Sequence, residues 1–307
     1  MNYDLPAPSP SRRWRQVVAD AIALTKPKVV ALLLFTTFAA MFLTPKGLPS
    51  LALVLVTMLG GYLMAGGASA VNMAYDHDID KLLSNRTRIR PVAAGRVSPG
   101  VALAFGLTLG ALSFVLFAVF VNLLAAVLSL VGFFYYTVIY TMWLKRSTPQ
   151  NIVIGGGAGA IPALVGWAAV ANGLDLTALS LFVIVFMWTP PHFWALALMQ
   201  TRNYAAAKIP MMNVVAGEAE TQRQIWIYTL VLIGLSLALV ALGMFGLVYL
   251  AGAALAGGLF IWRAWHVRRD PTRAAALGLY LYSMAYLAFL FGAMAVDRIA
   301  YRAFLPT

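Results

Sequence analysis

The chain has 307 residues, of which 62% are hydrophobic and 10% charged, and it carries a formal net charge of +12. A soluble domain is about a quarter charged; with a mean hydropathy of +0.84, this composition excludes a water-soluble enzyme and leaves no basic domain to bind nucleic acid. No cysteine is present, which removes disulfides, thiolate metal sites and covalent haem attachment.

In chain order, Pro6, Pro8 and Pro10 followed by Arg12, Arg13 and Arg15 read as a disordered cytoplasmic tail, residues 1–27, leading into a cytoplasmic helix. No small-residue cleavage site follows the first apolar run, so a removable signal peptide is not expected. Apolar runs long enough to span a bilayer, roughly 20 residues, recur near 28–44, 51–75, 99–119, 122–143, 151–171, 176–198, 224–245, 247–265 and 276–296. The expected fold is therefore all-α, a polytopic bundle of nine transmembrane helices in one membrane domain, 28–298, with a short external tail, 299–307. Tight turns near Asn122 and Phe245 separate neighbouring runs; fused, each pair would be about 45 residues, too long for any reasonable tilt.

With the N-terminus inside, all of the 22 Lys and Arg residues except Lys46, Arg298 and Arg302 fall on inside segments. This bias fixes the expected orientation and checks the helix count, because a missed span would scramble the alternation.

The second run ends in Asn72-Met-Ala-Tyr-Asp76-His-Asp78-Ile-Asp80, which holds three of the chain's ten acidic residues. Carboxylates are costly at a membrane boundary unless they bind something. At helical spacing Asn72, Asp76 and Asp80 form one stripe, and Asp78 points to the opposite side. An amide oxygen and two carboxylates are hard ligands suited to Mg²⁺, which shares its shell with phosphate oxygens. Lys81, Arg86, Arg88 and Arg90 follow closely, so the chemistry indicated is a diphosphate held against a membrane.

Two long inside loops, about 76–98 and 199–223, lie four helices apart and suggest halves that each contribute a loop to one site. Glycines at 60, 61, 66 and 67, and again at 155, 156, 157 and 159, read first as close helix packing. The sixth run contains Trp188-Thr-Pro190-Pro191-His192, where two missing amide donors predict a kink or break. His192 there is either a hydrogen-bonded structural residue or a ligand. A transporter would place ionisable groups near the midplane; here they cluster at helix ends on one side.

Asn72-x-x-x-Asp76-x-x-x-Asp80, with Asn85-Arg-Thr-Arg-Ile-Arg90-Pro91 and Gly95-Arg96, resembles the first aspartate-rich motif of the UbiA-type intramembrane prenyltransferases. The closer resemblance is to their haem-farnesylating branch. It rests on Tyr140-Thr-Met-Trp-Leu-Lys-Arg-Ser-Thr-Pro-Gln-Asn151, Trp188-Thr-Pro-Pro-His-Phe-Trp-Ala-Leu-Ala-Leu198, Tyr204-Ala-Ala-Ala, Ile209-Pro-Met211 and Val214-Val-Ala-Gly-Glu-Ala-Glu-Thr221. These blocks span 72–221, and the nine-span layout extends the likeness to nearly the whole chain.

The resemblance implies a central cavity open to the cytoplasmic-side loops and transfer of the farnesyl group of farnesyl diphosphate to a vinyl group of haem b, giving haem O. An aromatic quinone-precursor acceptor is the alternative. Asn72, Asp76 and Asp80 would hold Mg²⁺, while Arg86, Arg90 and Lys145 offset the remaining diphosphate charge. Tyr140, His192, Asn203, Tyr204 and Lys208 would bind substrate, with His192 toward the haem. Tyr135, Tyr136, Tyr140, Trp143 and Trp188 would shield an allylic carbocation. The implied setting is the bilayer of the bacterial inner membrane, with haem A synthase or the terminal oxidase assembly as partners. At two positions the chain departs from the family: Asn203 stands where an aspartate is usual before the tyrosine, and Lys208 where a small or neutral residue precedes Ile-Pro.

Overall fold

The computed structural model describes residues 10–304, with side chains described for 14–300. The first nine residues of the expected tail and the last three of the chain lie outside this range, as do the side chains of Arg12, Arg13 and Arg302. The regular structure of the described residues is entirely helical, with no strand.

Two helices, α1 (Pro10–Leu24) and α2 (Pro27–Leu43), precede the acidic segment. Helix α3 (Leu51–Tyr75) leads through Asp76 into the short α4 (His77–Leu83) and α5 (Asn85–Arg88). After α6 (Pro99–Phe120), α7 (Leu123–Phe134) runs directly into a ten-residue π-helix, Tyr135–Leu144, and the single turn α8 (Lys145–Ser147). Helices α9 (Asn151–Ala171) and α10 (Leu176–Leu198) follow, then the small loop helices α11 (Thr201–Ala206) and α12 (Met212–Val215). The bundle closes with α13 (Glu218–Ala241), α14 (Leu247–Arg269) and α15 (Arg273–Phe304).

The chain is thus an all-α, multi-pass membrane protein, but the expected count of nine is not reached by length. Eight helical stretches among the described residues are long and apolar enough to cross a bilayer. The ninth, α2, has 17 residues, about 26 Å at the helical rise, short of a hydrocarbon core of about 30 Å. It is nevertheless a full member of the bundle, wedged against α3 and α9. The basic N-terminal segment includes α1, tied down by Asp20, which accepts from Arg96 Nε at 3.0 Å, and residues 299–304 of the C-terminal end are the last turns of α15.

Close helix crossings come from glycine. A methyl group on Gly67 would collide with the Gly106 carbonyl across the α3–α6 contact, and one on Gly166 with the Thr37 carbonyl across α2–α9. These are backbone-to-backbone approaches that no side chain can relieve by rotating. The Pro190-Pro191 pair does not break α10, which continues to Leu198. Proline keeps a helical φ, and the lost donors leave only two carbonyls one turn back without partners.

Replacing Gly166 by alanine should destabilise the fold by about 1–3 kcal/mol, the usual cost of overpacking, because α2 must move off α9. Thermal unfolding in detergent measures this, and Gly258→Ala, where a new methyl meets open space within α14, should not lower the midpoint.

Candidate functional site

Helical geometry carries across the α3–α4 junction. Asp76 N–H donates to the Asn72 carbonyl and Asp80 N–H to the Asp76 carbonyl, both at 2.9 Å, so Asn72, Asp76 and Asp80 fall on one face. All three are buried, Asp76 and Asp80 to 0% and 1% exposure. Asp78 lies on the outer side, where its carboxylate accepts two hydrogen bonds of 2.8 Å from Arg146. That guanidinium holds the Asp78 pKa down at about 2.

Each buried acceptor meets a cation or amide from a different segment. Lys145, at the end of the π-helix, makes a short ion pair with Asp76. Arg90 Nη1 reaches both oxygens of Asp80 at 2.7 and 2.8 Å. Lys26, between α1 and α2, donates to Asn72 Oδ1 at 2.6 Å, and Asn72 Nδ2 donates to Asp76 Oδ2 at 2.7 Å. Arg146 adds a longer contact to Asp76, 3.4 Å. Burial, with Arg90 and Lys145 nearby, pushes the Lys26 pKa down to about 7; an anion brought among these cations reverses that effect.

Local sequence explains why the cations arrive. Ser84 and Thr87 form a reciprocal capping box at α5, and Thr87 Oγ1 also donates to the Asp80 carbonyl at 2.7 Å. This folds the loop back so that Arg90 returns to Asp80. The π-helix has a wider turn than an α-helix. Thr141 Oγ1 donates to the Tyr136 carbonyl at 2.8 Å and accepts from Asn72 Nδ2 at 3.1 Å. Thr141 and Lys145 thereby share a face toward α3. An ordinary helix was expected over these residues, and nothing in their composition signals the wider turn.

Immediately beside the stripe lies a mostly apolar cavity of about 290 Å³, enclosed by α2, α3, α7 with its π-helix, α9 and α10. Tyr136 and Tyr140 line it and stack with centroids 5.5 Å apart. Gly155 permits this, since a methyl group there would enter the Tyr140 ring. Of the five aromatics expected around the cavity, these two are joined by Phe133. Tyr135 instead donates to the Ile154 carbonyl, Trp143 is 65% exposed, and Trp188 Nε1 donates to the Ser283 carbonyl at 2.7 Å.

The second loop lies over the first, with α11 against α4. Tyr204 is buried, and burial raises its pKa to about 12, offset partly by Arg90. Lys208 has φ +53° and its side chain is exposed. Its N–H donates to Ala205 O and Ile209 N–H to Tyr204 O, both at 3.0 Å, which is a Schellman motif with lysine at the position glycine favours. Asn203 is half-buried and its backbone closes α11. Arg86 is exposed and makes no ion pair among the described residues. His192 does not line the cavity, although its neighbours Thr189 and Phe193 do.

Sequence reading therefore missed Lys26, Thr141 and Arg146. Lys26 was legible only as topology, because no local pattern links it to Asn72, 46 residues later.

Comparison with known proteins follows from this geometry. Residues 33–296 match the model of the UbiA prenyltransferase family. A relative from Roseiflexus sp., called protoheme IX farnesyltransferase, is 54% identical over 93% of this chain and 53% of its own length. One of the same name from Gloeothece citriformis is 49% identical over 92% of this chain and 88% of its own. The chain spans about half the length of the Roseiflexus and Chloroflexus relatives it matches. A UbiA homologue from Archaeoglobus fulgidus, solved bound to GPP and Mg²⁺, superposes with a TM-score of 0.66 at 17% identity, covering 90% of this chain and 99% of that one.

Two outcomes test the geometry. Gly155→Ala should displace the Tyr140 ring and reduce uptake of an apolar chain into the cavity, read by quenching of tyrosine fluorescence with a prenyl-tailed probe. Lys208→Gly should raise stability by up to about 1 kcal/mol, since a left-handed L-residue costs roughly 1–2 kcal/mol and glycine returns part of that as backbone entropy.

Proposed function

This chain belongs to the UbiA prenyltransferase family, and on that premise we propose that it transfers the farnesyl group of farnesyl diphosphate to a vinyl group of haem b. Water addition then gives haem O, and diphosphate is released. The observation that carries this reading is the buried oxygen stripe, paired with Lys26, Arg90 and Lys145 and lying one helical turn beyond Ala68 and Ser69, which line an apolar cavity. The names of the relatives support haem as the acceptor.

Mg²⁺ fits the donor set. Two carboxylates and an amide oxygen on one face are hard ligands, and the pairing of the two carboxylates with Lys145 and Arg90 leaves phosphate oxygens to complete a shell, as Mg²⁺ prefers. Bound there by Asn72, Asp76 and Asp80, the ion would neutralise diphosphate charge and improve it as a leaving group. The chain's own residues do the rest. Lys26, Arg90 and Lys145 are placed to exchange their carboxylate and amide partners for phosphate oxygens, meeting charge where it develops as the allylic C–O bond breaks. Tyr136, Tyr140 and Phe133 line the cavity, exclude water and present ring faces to an allylic cation. The haem vinyl group supplies the electron pair for the new C–C bond, and water adds to the adjacent carbon with loss of a proton.

Asn203 and Tyr204 would complete the diphosphate end from the second loop; asparagine offers an oxygen without the charge usual there. The reading places the protein in the bacterial cytoplasmic membrane, N-terminus cytoplasmic and C-terminus external, supported by the distribution of lysine and arginine. Haem A synthase or the terminal oxidase assembly would receive the product.

Asp76→Ala and Asp80→Ala should each abolish turnover and Mg²⁺-dependent diphosphate binding while haem binding persists; Asp78→Ala should retain most activity, since Asp78 faces outward. Product mass from haem b, farnesyl diphosphate and the purified protein tests the reaction, and farnesylation of an aromatic acceptor with haem untouched would overturn the choice of substrate. Asn203→Asp should tighten Mg²⁺-dependent diphosphate binding, measured by calorimetry; no change would remove the second loop from the metal site.

A further inference from the structure

The apolar cavity has a definite depth. On α3 its lining runs from Ser69, beside the stripe, to Gly61, and on α9 from Ile152 to Val165. Gly61 lies eleven residues from Asn72 along the same helix, about 16 Å at a rise of about 1.5 Å per residue. Past that level the bundle closes. Gly166, next to Val165, brings α9 against the Thr37 carbonyl of α2, and the Phe117 ring of α6 packs on Gly60 of α3. Phe117 and Val165 belong to one buried cluster, so the cavity ends on a packed floor.

The α9 wall differs from one position to the next. A methyl group on Gly155 would enter the Tyr140 ring, one on Gly156 would press on the Thr189 side chain, and one on Gly157 on the Tyr135 ring. Neighbouring side chains therefore already fill the room these three glycines leave. Gly159 is different. It lines the cavity, yet a Cβ there would meet no atom within 4 Å. Glycine in a helix interior costs about 1 kcal/mol relative to alanine, and at this position no close helix contact offsets that cost. Packing explains the other three glycines and leaves Gly159 unexplained; what it provides is empty width, between the mouth at Ile152 and the floor at Val165.

We propose that Gly159 and Val165 select the length of the prenyl chain: Gly159 leaves width for the isoprene units far from the diphosphate, and the floor at Val165 stops the chain at farnesyl length. The proposal rests on a prenyl diphosphate being held at the stripe. An extended farnesyl chain is roughly 14 Å long, eleven carbon–carbon bonds of about 1.5 Å shortened by their zigzag. With its first carbon level with Asn72, it fills the cavity to the floor. A chain one isoprene unit longer, roughly 19 Å, runs into the Thr37–Gly166 contact. A geranyl chain, roughly 9 Å, leaves the deep end empty and forfeits its dispersion contacts.

The test is calorimetric binding of geranyl, farnesyl and geranylgeranyl diphosphate, each with Mg²⁺, to the purified full chain in lipid nanodiscs. No haem is added, so the outcome does not depend on the acceptor. The parent should bind farnesyl diphosphate most tightly. Gly159→Leu, which fills the opening, should weaken farnesyl diphosphate about tenfold or more, as overpacking does, and move the preference to geranyl diphosphate. Gly159→Ala should shift the ranking the same way by less. Val165→Ala lowers the floor and should narrow the preference for farnesyl over geranylgeranyl diphosphate by about tenfold, the usual worth of a methylene in an apolar pocket. Inorganic diphosphate with Mg²⁺, bound equally by parent and variants, shows that the site is folded. The parent's ranking of the three chains, kept in both Gly159 variants, would overturn the role of Gly159. An undiminished preference against geranylgeranyl diphosphate in Val165→Ala would overturn the floor. A parent that binds all three no more tightly than inorganic diphosphate would overturn the prenyl reading of the cavity itself.

Discussion

Two carboxylates with almost no solvent access, Asp76 and Asp80, sit where an apolar helix ends. Taking one such charge out of water costs several kcal/mol even after relaxation. That cost is offset by cations brought from elsewhere in the chain. Lys145 comes from the end of the π-helix, Arg90 from the first loop, and Lys26 completes the set through Asn72. The fold around the site is largely the apparatus that delivers these cations. The short distance from α5 back to Asp80, the wide turn before Lys145 and the left-handed residue at Lys26 all serve it.

Under the proposed function, the same pairing makes the site responsive. A carboxylate that is satisfied by lysine or arginine in the resting protein can exchange that partner for a divalent ion, and the released cation can take a phosphate oxygen. Charge is conserved in the exchange, so binding does not strand an unpaired group in a medium of low dielectric. Asp78 takes no part: it is exposed and held by Arg146, and its ionisation is secured outside the enclosed region.

Shape is set separately, by glycine and ring stacking. Gly155 lets Tyr140 lie against α9, and Gly67 and Gly166 bring α3 to α6 and α2 to α9 at backbone distance. The cavity between these helices is apolar because its walls are the same faces that pack the bundle. Lys208 illustrates how a charge can mislead. In the sequence it reads as an added cation near a phosphate site, whereas in the fold its main feature is a positive φ in a Schellman turn.

The sequence by itself determined the helical membrane architecture, because runs of apolar residues have no other stable form in a bilayer, and eight of the nine expected runs are long apolar helices. It also determined that Asn72, Asp76 and Asp80 share a face, since backbone pairing at i to i+4 continues through Asp76. Only the tertiary structure decided which cations meet them. Lys26 and Lys145 lie 46 and 69 residues from their partners, and no periodicity encodes such distances. It decided too that α10 passes unbroken through Pro190 and Pro191 and that Tyr135–Leu144 widens to a π-helix. Both depend on what packs against the helix rather than on its own residues. His192 shows the same division: the sequence offered a ligand or a structural histidine, and only the fold brings its Nδ1 to the Ser283 hydroxyl, 91 residues away.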